Sequence, residues 1–152
     1  MKTSKIILAF LFVLFSSALS LAQTVESVME SSWKGGSQSR ADAFDSGYCI
    51  CTEKLYNIVY DDSDGSFTGV ALTNFNLDGE EYVSRVNVSG TVNPETATVK
   101  INSGSVIYQD DLPYGMYWMS VSINLSIFED EDHPGYYIMF GKTSNQNYDD
   151  EY

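Results

Sequence analysis

Two cysteines and a single histidine are the residues of this sequence best suited to chemistry. Cys49 and Cys51 are separated by one residue, whereas His133 follows an acidic run far along the chain. A closed metal site of cysteine and histidine needs four ligands, so a C-x-C pair is two ligands short. Pro134 and Gly135 mark a turn directly after the histidine, which favours a surface position over a role as catalytic base.

The cysteine pair lies in a segment that the pattern predicts to be a strand. Side chains two residues apart on a strand share one face and are about 6 to 7 Å apart, a poor geometry for a disulfide. Three states therefore stay open for Cys49 and Cys51: two buried free thiols, a strained and easily reduced disulfide, or an intermolecular link or metal site. An exported chain would favour oxidation.

Two acidic runs offer carboxylates to a hard cation. The first, "DDSDG" at Asp61 to Gly65, is similar to part of a calcium loop. With Gly65 at the obligatory glycine, the first ligand position falls on Tyr60 and the closing acid on Ala71, so the loop fails. The second, Glu129 to Asp132, has four carboxylates but no complete ligand pattern. We expect both to be solvated turns, with no tight calcium site and no cofactor.

Aromatic side chains flank the last two predicted strands, with serine and asparagine between them. Rings interleaved with hydroxyl and amide groups are typical of a site for a neutral small molecule or sugar. The same rings could instead belong to the core, and the sequence leaves both interpretations open. The candidate ligand-binding residues are Tyr114, Trp118, Asn124, Tyr136 and Tyr137. No nucleophile arrangement, phosphate-binding loop or zinc motif is recognisable, so we expect the chain not to be an enzyme.

Apolar and polar residues alternate along much of the chain, which predicts strands. The candidate residues lie on these strands or next to them. From Met116 to Phe128, the row from Tyr117 to Ile127 at every second position is apolar, while Trp118 begins a row of serine and asparagine. A period of two predicts a strand with one face on a core and one face in water. The same alternation places the row from Tyr82 to Val92 on the core side.

Turn signals divide the chain into eight predicted strands after a short lead, "TVESVMESS", of weak helical character. Short connections favour an antiparallel meander, and a meander loses its open edges only by closing. We therefore predict an all-β, single eight-stranded up-and-down barrel, with a two-sheet sandwich or jelly roll as the alternative. The predicted strands are Ser32 to Gly35, Tyr48 to Tyr60, Ser66 to Phe75, Glu81 to Val92, Thr96 to Ile101, Ser105 to Gln109, Met116 to Phe128 and Tyr136 to Lys142.

The start of this pattern resembles a known group of barrels. Trp33 in "SSWKGG" is followed by a long strand and by a hairpin, "DDSDGSFTG", that leads into the next strand. In order and spacing this is similar to the avidin and lipocalin group of eight-stranded barrels. The resemblance implies a closed barrel with a ligand-holding mouth, and it assigns no binding residue.

The N-terminus has the pattern of a secretory signal peptide. Lys2 and Lys5 precede the apolar run "IILAFLFVLF", and Ser20 and Ala22 suit a cleavage site after residue 22. The predicted organisation is a signal peptide at 1–22, a lead at 23–31, a barrel domain at 32–142 and a flexible acidic tail at 143–152. Export as a soluble, secreted or periplasmic protein follows as an expectation.

Charge narrows the range of partners. Residues 23–152 contain 21 acidic and 6 basic residues, a formal net charge of −15. Such a surface repels nucleic acid and anionic membranes. The sequence therefore predicts a secreted binding module for a neutral small molecule or sugar. The alternative is an extracellular protein-interaction or inhibitor domain without a ligand cavity, and the oligomeric state stays open.

Overall fold

A computed structural model describes residues 27–40, 44, 47–113 and 115–143 of the chain. The predicted signal peptide, the start of the lead, Tyr114 and the tail from residue 144 onward lie outside these ranges. Helix is described at Ser27 to Met29, within the predicted helical lead. None of the described residues forms a helix long and apolar enough to cross a lipid bilayer.

In the described part of the chain, seven antiparallel strands form one sheet in which spatial order equals chain order. The sheet is curled into a half-barrel. Its strands are β1 (Trp33–Arg40), β2 (Tyr48–Asp61), β3 (Ser66–Leu77), β4 (Glu80–Asn93), β5 (Thr98–Gln109), β6 (Ser122–Glu129) and β7 (Tyr137–Thr143). The predicted all-β antiparallel meander is confirmed. Among the described residues, however, β1 and β7 are the two edges of the sheet, with no pairing between them.

The predicted fifth and sixth strands are one strand, which corrects the count from eight to seven. The sequence "NSG" at Asn102 to Gly104 has turn composition, but Ser103 pairs with Val88 of β4. The register of β5 then shifts twice, on either side of the pairing of Val106 with Val86. Gly104 lies in the first of these two bulges, where β5 has more residues than the facing part of β4. The strand therefore continues through the segment that was predicted to be a turn.

The strand predicted to begin at Met116 begins at Ser122 instead. Gly115 has a positive φ of 87°, and the backbone amide of Met116 donates to the carbonyl oxygen of Pro113 at 3.0 Å. This turn sends residues 116–121 across the end of the sheet as an irregular segment. Tyr117 and Met119, predicted to face the core, are consequently exposed.

Elsewhere the predicted faces are confirmed. On β4 the core-side row is buried or half-buried, with Ser84, Val88 and Val92 buried, while Arg85, Asn87 and Ser89 are exposed. On β6, Ile123 and Leu125 are half-buried and Ile127 is buried, with exposed serine and asparagine between them. Strand side chains alternate between faces, so the pattern in the sequence determines which face packs.

The core face carries two apolar clusters at opposite ends of the strands. The first surrounds Met29, which the N-terminal helix inserts at the end formed by the β2–β3, β4–β5 and β6–β7 turns. Its other buried members are Leu55, Ile58, Phe67, Val88, Val92, Val99 and Ile127. The second cluster, at the other end, has Cys49, Cys51 and Phe75 as its buried members, with Trp118 packed against them. Side chains therefore occupy both ends of the half-barrel.

Candidate functional site

Trp118 belongs to the second apolar cluster and its polar atom is paired. Its indole Nε1–H donates to the carbonyl oxygen of Asp110 at 2.9 Å. Its ring lies 5.5 Å from that of Phe75 between ring centroids, at an interplanar angle of 55°. A tryptophan with its N–H bonded and its ring packed on phenylalanine covers the core at this end of the sheet.

The other predicted ligand-binding residues are spread over the molecule. Asn124 is exposed on the outer face of β6, and Tyr136 is 71% exposed in the β6–β7 turn. Tyr137 is half-buried at the start of β7. Trp118 precedes β6 and Tyr136 follows it, so the two rings lie at opposite ends of the strand. The described members of the set therefore do not surround one cavity.

The two cysteines are buried free thiols that face one another. Their Sγ atoms are 3.2 Å apart on the core face of β2. Burial raises the pKa of the Cys51 thiol to about 12, and the neighbouring Cys49 adds to that effect. A thiol held protonated is a poor nucleophile and a poor metal ligand. Among the described residues no group of three or more histidine, cysteine or acidic side chains is arranged to hold a metal ion.

The carboxylates of the acidic turns bond to the backbone of their own turns. Asp61 accepts from the amide and hydroxyl of Ser63, at 3.0 and 2.6 Å. In the second turn, Asp130 accepts from the amide of Asp132 at 3.0 Å and lies 2.9 Å from Nδ1 of the exposed His133. Such side-chain-to-backbone bonds stabilise turns and leave these carboxylates engaged.

A polar row crosses the core face between the two apolar clusters. Glu53 of β2 accepts from the hydroxyls of Ser37 on β1 and Thr73 on β3, at 2.7 and 2.6 Å. Thr73 pairs with the buried Ser84 of β4, whose hydroxyl oxygen accepts from Nε2 of Gln109 on β5 at 3.0 Å. These hydrogen bonds pair the polar side chains of the row with one another, and Ser84 is its one buried polar residue among those described.

The outer face carries a groove that the sequence analysis missed. It has a volume of about 480 Å³ and spans β2 to β5. None of the described residues that line it is charged, although the chain has a net charge of −13. The hydrogen-bonding side chains in the lining are Asn57, Thr68, Asn87, Ser89 and Ser105. Amides and hydroxyls without charges suit a neutral polar ligand.

Two bulges flank this groove. β2 shifts register between Tyr56 and Val59, and Asn57 there has a positive φ of 52°. On the other side, β5 shifts register around Ser105. Bulges redirect side chains and are frequent beside functional sites. The signal available in the sequence was two strand glycines, Gly69 opposite the bulge of β2 and Gly104 within the bulge of β5, because such glycines mark bulges or close approaches.

Within the groove, cross-strand pairs hold the polar side chains in place. Thr68 lies opposite Ser89 on β3 and β4. The amide Nδ2 of Asn87 donates to the hydroxyl oxygen of Ser105 at 2.9 Å, which links β4 to the bulge of β5. These residues belong to central strands of the sheet, and strands position a site more rigidly than loops do.

Apolar side chains are exposed on the outer face next to β7. Phe128 of β6 pairs directly with Ile138 of β7, and Phe140 follows on the same face. These three side chains are 48%, 39% and 66% exposed, respectively. We call them the β7 patch. A contiguous exposed apolar patch marks an interaction surface more often than isolated apolar residues do.

Comparisons with known proteins assign no family. No family model matches the chain, and no significant match was found among curated proteins or solved structures. The class of the protein is therefore defined by its fold alone: an all-β domain with one antiparallel sheet curled into a half-barrel.

Proposed function

We propose that this chain is an exported binding domain that holds a neutral, hydroxylated small molecule, such as a sugar, in the groove on its outer face. The observation that carries the proposal is the lining: five amide or hydroxyl side chains and no charged residue, on a chain of net charge −13. A neutral ligand can exchange its bonds to water for bonds to these groups without burying a charge.

The dimensions of the groove support this proposal. Its volume of about 480 Å³ is enough for a small molecule, which would stay partly in water because the groove is open to solvent. The groove lies across the middle of the sheet, where each central strand is hydrogen-bonded on both sides. Binding rather than catalysis is proposed because the lining offers donors and acceptors but no carboxylate, thiol or imidazole.

The experiment is a titration of isotopically labelled residues 23–152 with neutral mono- and disaccharides, followed by amide chemical shifts. We expect a bound sugar to shift amides of Thr68, Ser89 and Ser105. Asn87→Ala should weaken binding about tenfold or more, because a site built to hydrogen-bond a ligand loses strongly when one partner is removed.

The matched control is Asn124→Ala, which removes an exposed amide from the outer face of β6, away from the groove. It should leave the affinity unchanged. If Asn124→Ala or Trp118→Ala abolished binding while Asn87→Ala retained it, the ligand would not bind in the groove. That result would support the aromatic site predicted from the sequence. An absence of shifts across the panel at millimolar ligand would contradict sugar binding altogether.

A further inference from the structure

Among the described residues, the outer edge of β7 has a defined set of backbone groups that no strand pairs with. The amide of Asp130 donates to the carbonyl of Tyr136 at 2.8 Å, so the pair Glu129 and Tyr137 is a non-hydrogen-bonded pair of the β6–β7 ladder. By alternation, Ile138 and Phe140 direct their N–H and C=O groups to β6. Tyr137, Met139 and Gly141 direct theirs away from β6, where no described strand lies.

Along most of its length, this edge lacks the features by which sheets avoid pairing with other chains. From Tyr137 to Gly141 the strand has no charged residue and no proline, Lys142 is the one charged residue of β7, and the β6–β7 register runs without a shift. Native edges usually carry lysine, proline or a bulge that blocks a further strand. Each edge strand carries a lysine, but β1 adds Gly35, Gly36 and Arg40, whereas β7 has an uninterrupted apolar run from Tyr137 to Phe140. β7 is therefore the edge suited to accept a strand.

Side chains next to the edge extend the contact surface. An eighth strand on β7 would place every second side chain on the outer face, beside the exposed Ile138 and Phe140. The β7 patch continues through Phe128 on β6. Main-chain hydrogen bonds would thus be joined by apolar burial, as in other cases of strand addition.

The acidic turn beside β7 indicates the kind of partner that this edge would bind. Four acids, Glu129 to Asp132, lie in the turn that leads into β7, and the chain has a net charge of −13. Two copies of such a chain repel each other, whereas lysine or arginine in an incoming strand would be attracted to this turn. We propose that β7 binds an extended segment of a basic protein, which adds to the sheet as an eighth strand. This surface is separate from the groove, so the proposal does not depend on sugar binding.

The probe is a fluorescein-labelled ten-residue peptide of alternating valine and threonine that ends in two lysines, titrated with residues 23–152 and read by anisotropy. We expect saturable binding that weakens as salt rises, because the charge contribution is screened. The same peptide with two glutamates in place of the lysines should bind about tenfold more weakly. A peptide N-methylated at alternate residues should not bind, since its edge donors are removed.

Two substitutions at one position separate the edge from the packing. Met139→Pro removes an outward N–H without removing a bond to β6, and Met139→Val is the control that alters the side chain but keeps the N–H. We expect the proline variant to lose the peptide and the valine variant to retain it. Phe140→Ser, at an exposed side chain, should weaken binding without loss of folding. Circular dichroism verifies folding of each variant.

Several outcomes would overturn the proposal. These are no binding at about 1 mM peptide, equal affinity for the lysine and glutamate peptides, or unchanged binding by a folded Met139→Pro variant. Sedimentation that shows a dimer of the wild type, lost in Met139→Pro, would assign the edge to a second copy. Peptide binding that appears only after deletion of residues 144–152 would assign it to the chain's own tail. Because Asn87→Ala leaves β7 intact, loss of sugar binding and loss of peptide binding are distinguishable.

Discussion

A glycine shows at the scale of single residues how closely this sheet is packed. Phe67 of β3 is buried opposite Gly90 of β4, and its ring covers the glycine on the core face. A Cβ placed on Gly90 would contact the Phe67 ring and the backbone carbonyl of Lys100 at distances that real side chains do not show. An aromatic ring packed over a strand glycine is a known way of stabilising such a position.

Gly90→Ala should therefore destabilise the domain by about 2 to 4 kcal/mol, because the added methyl group meets backbone that cannot move without disturbing the ladder. Urea unfolding followed by circular dichroism measures the loss. Gly35→Ala is the control, since nothing lies within 4 Å of a Cβ at Gly35, and it should change stability by less than about 0.5 kcal/mol. If the two variants had equal urea midpoints, the packing of the Phe67 ring would not require a glycine at position 90.

At the scale of elements, alternation predicted the faces of the strands but not all of their ends. β4 and β6 show the predicted faces because a period of two leaves only two choices for each side chain. A break inside β5 and a start of β6 at Met116 were predicted wrongly. At Asn102 to Gly104 the turn residues form a bulge, and at Met116 to Val121 a strand-like pattern packs irregularly around Trp118. Tertiary packing decides such segments, and local sequence does not encode it.

Neighbouring residues of β6 test the assignment of faces. Ile127→Asp should unfold the domain or destabilise it by about 3 kcal/mol or more, because Ile127 is 7% exposed in the first apolar cluster. Phe128→Asp, one residue further and 48% exposed, should change stability by less than about 1 kcal/mol. Thermal unfolding of both variants measures the difference. A larger loss in Phe128→Asp would mean that the β7 patch is covered in the native protein.

At the scale of the whole molecule, the two main features are the negative charge of the chain and the curvature of the sheet. The full chain has a net charge of −13, and apolar clusters fill the two ends of the half-barrel. The sequence predicted the all-β meander, but it also predicted a closure that the described strands do not show, and it did not predict the outer groove. Closure depends on whether β1 and β7 meet, and the groove depends on two bulges that combine residues from four strands. A sequence pattern along one strand does not contain that information.

Screening of this charge gives a prediction for the whole domain. Raising sodium chloride should raise the melting temperature, because like charges repel less in the folded state. Calcium should raise it no more than magnesium at equal ionic strength, because the described turn carboxylates of Asp61 and Asp130 already bond within their turns. Differential scanning calorimetry measures the three series. A specific rise with millimolar calcium would reveal a bound ion, since only a ligand of the folded state stabilises by mass action.

The identity of spatial order and chain order has a consequence for folding kinetics. Every strand pairs with its immediate neighbours in sequence, so the loops closed during folding are short and few pairings await a distant segment. Relative contact order is therefore low for an all-β protein, and low contact order goes with fast folding. A jelly roll of the same length must first bring together strands that are far apart in the chain. This domain should refold faster than such a fold, through hairpins that grow from any starting point along the chain.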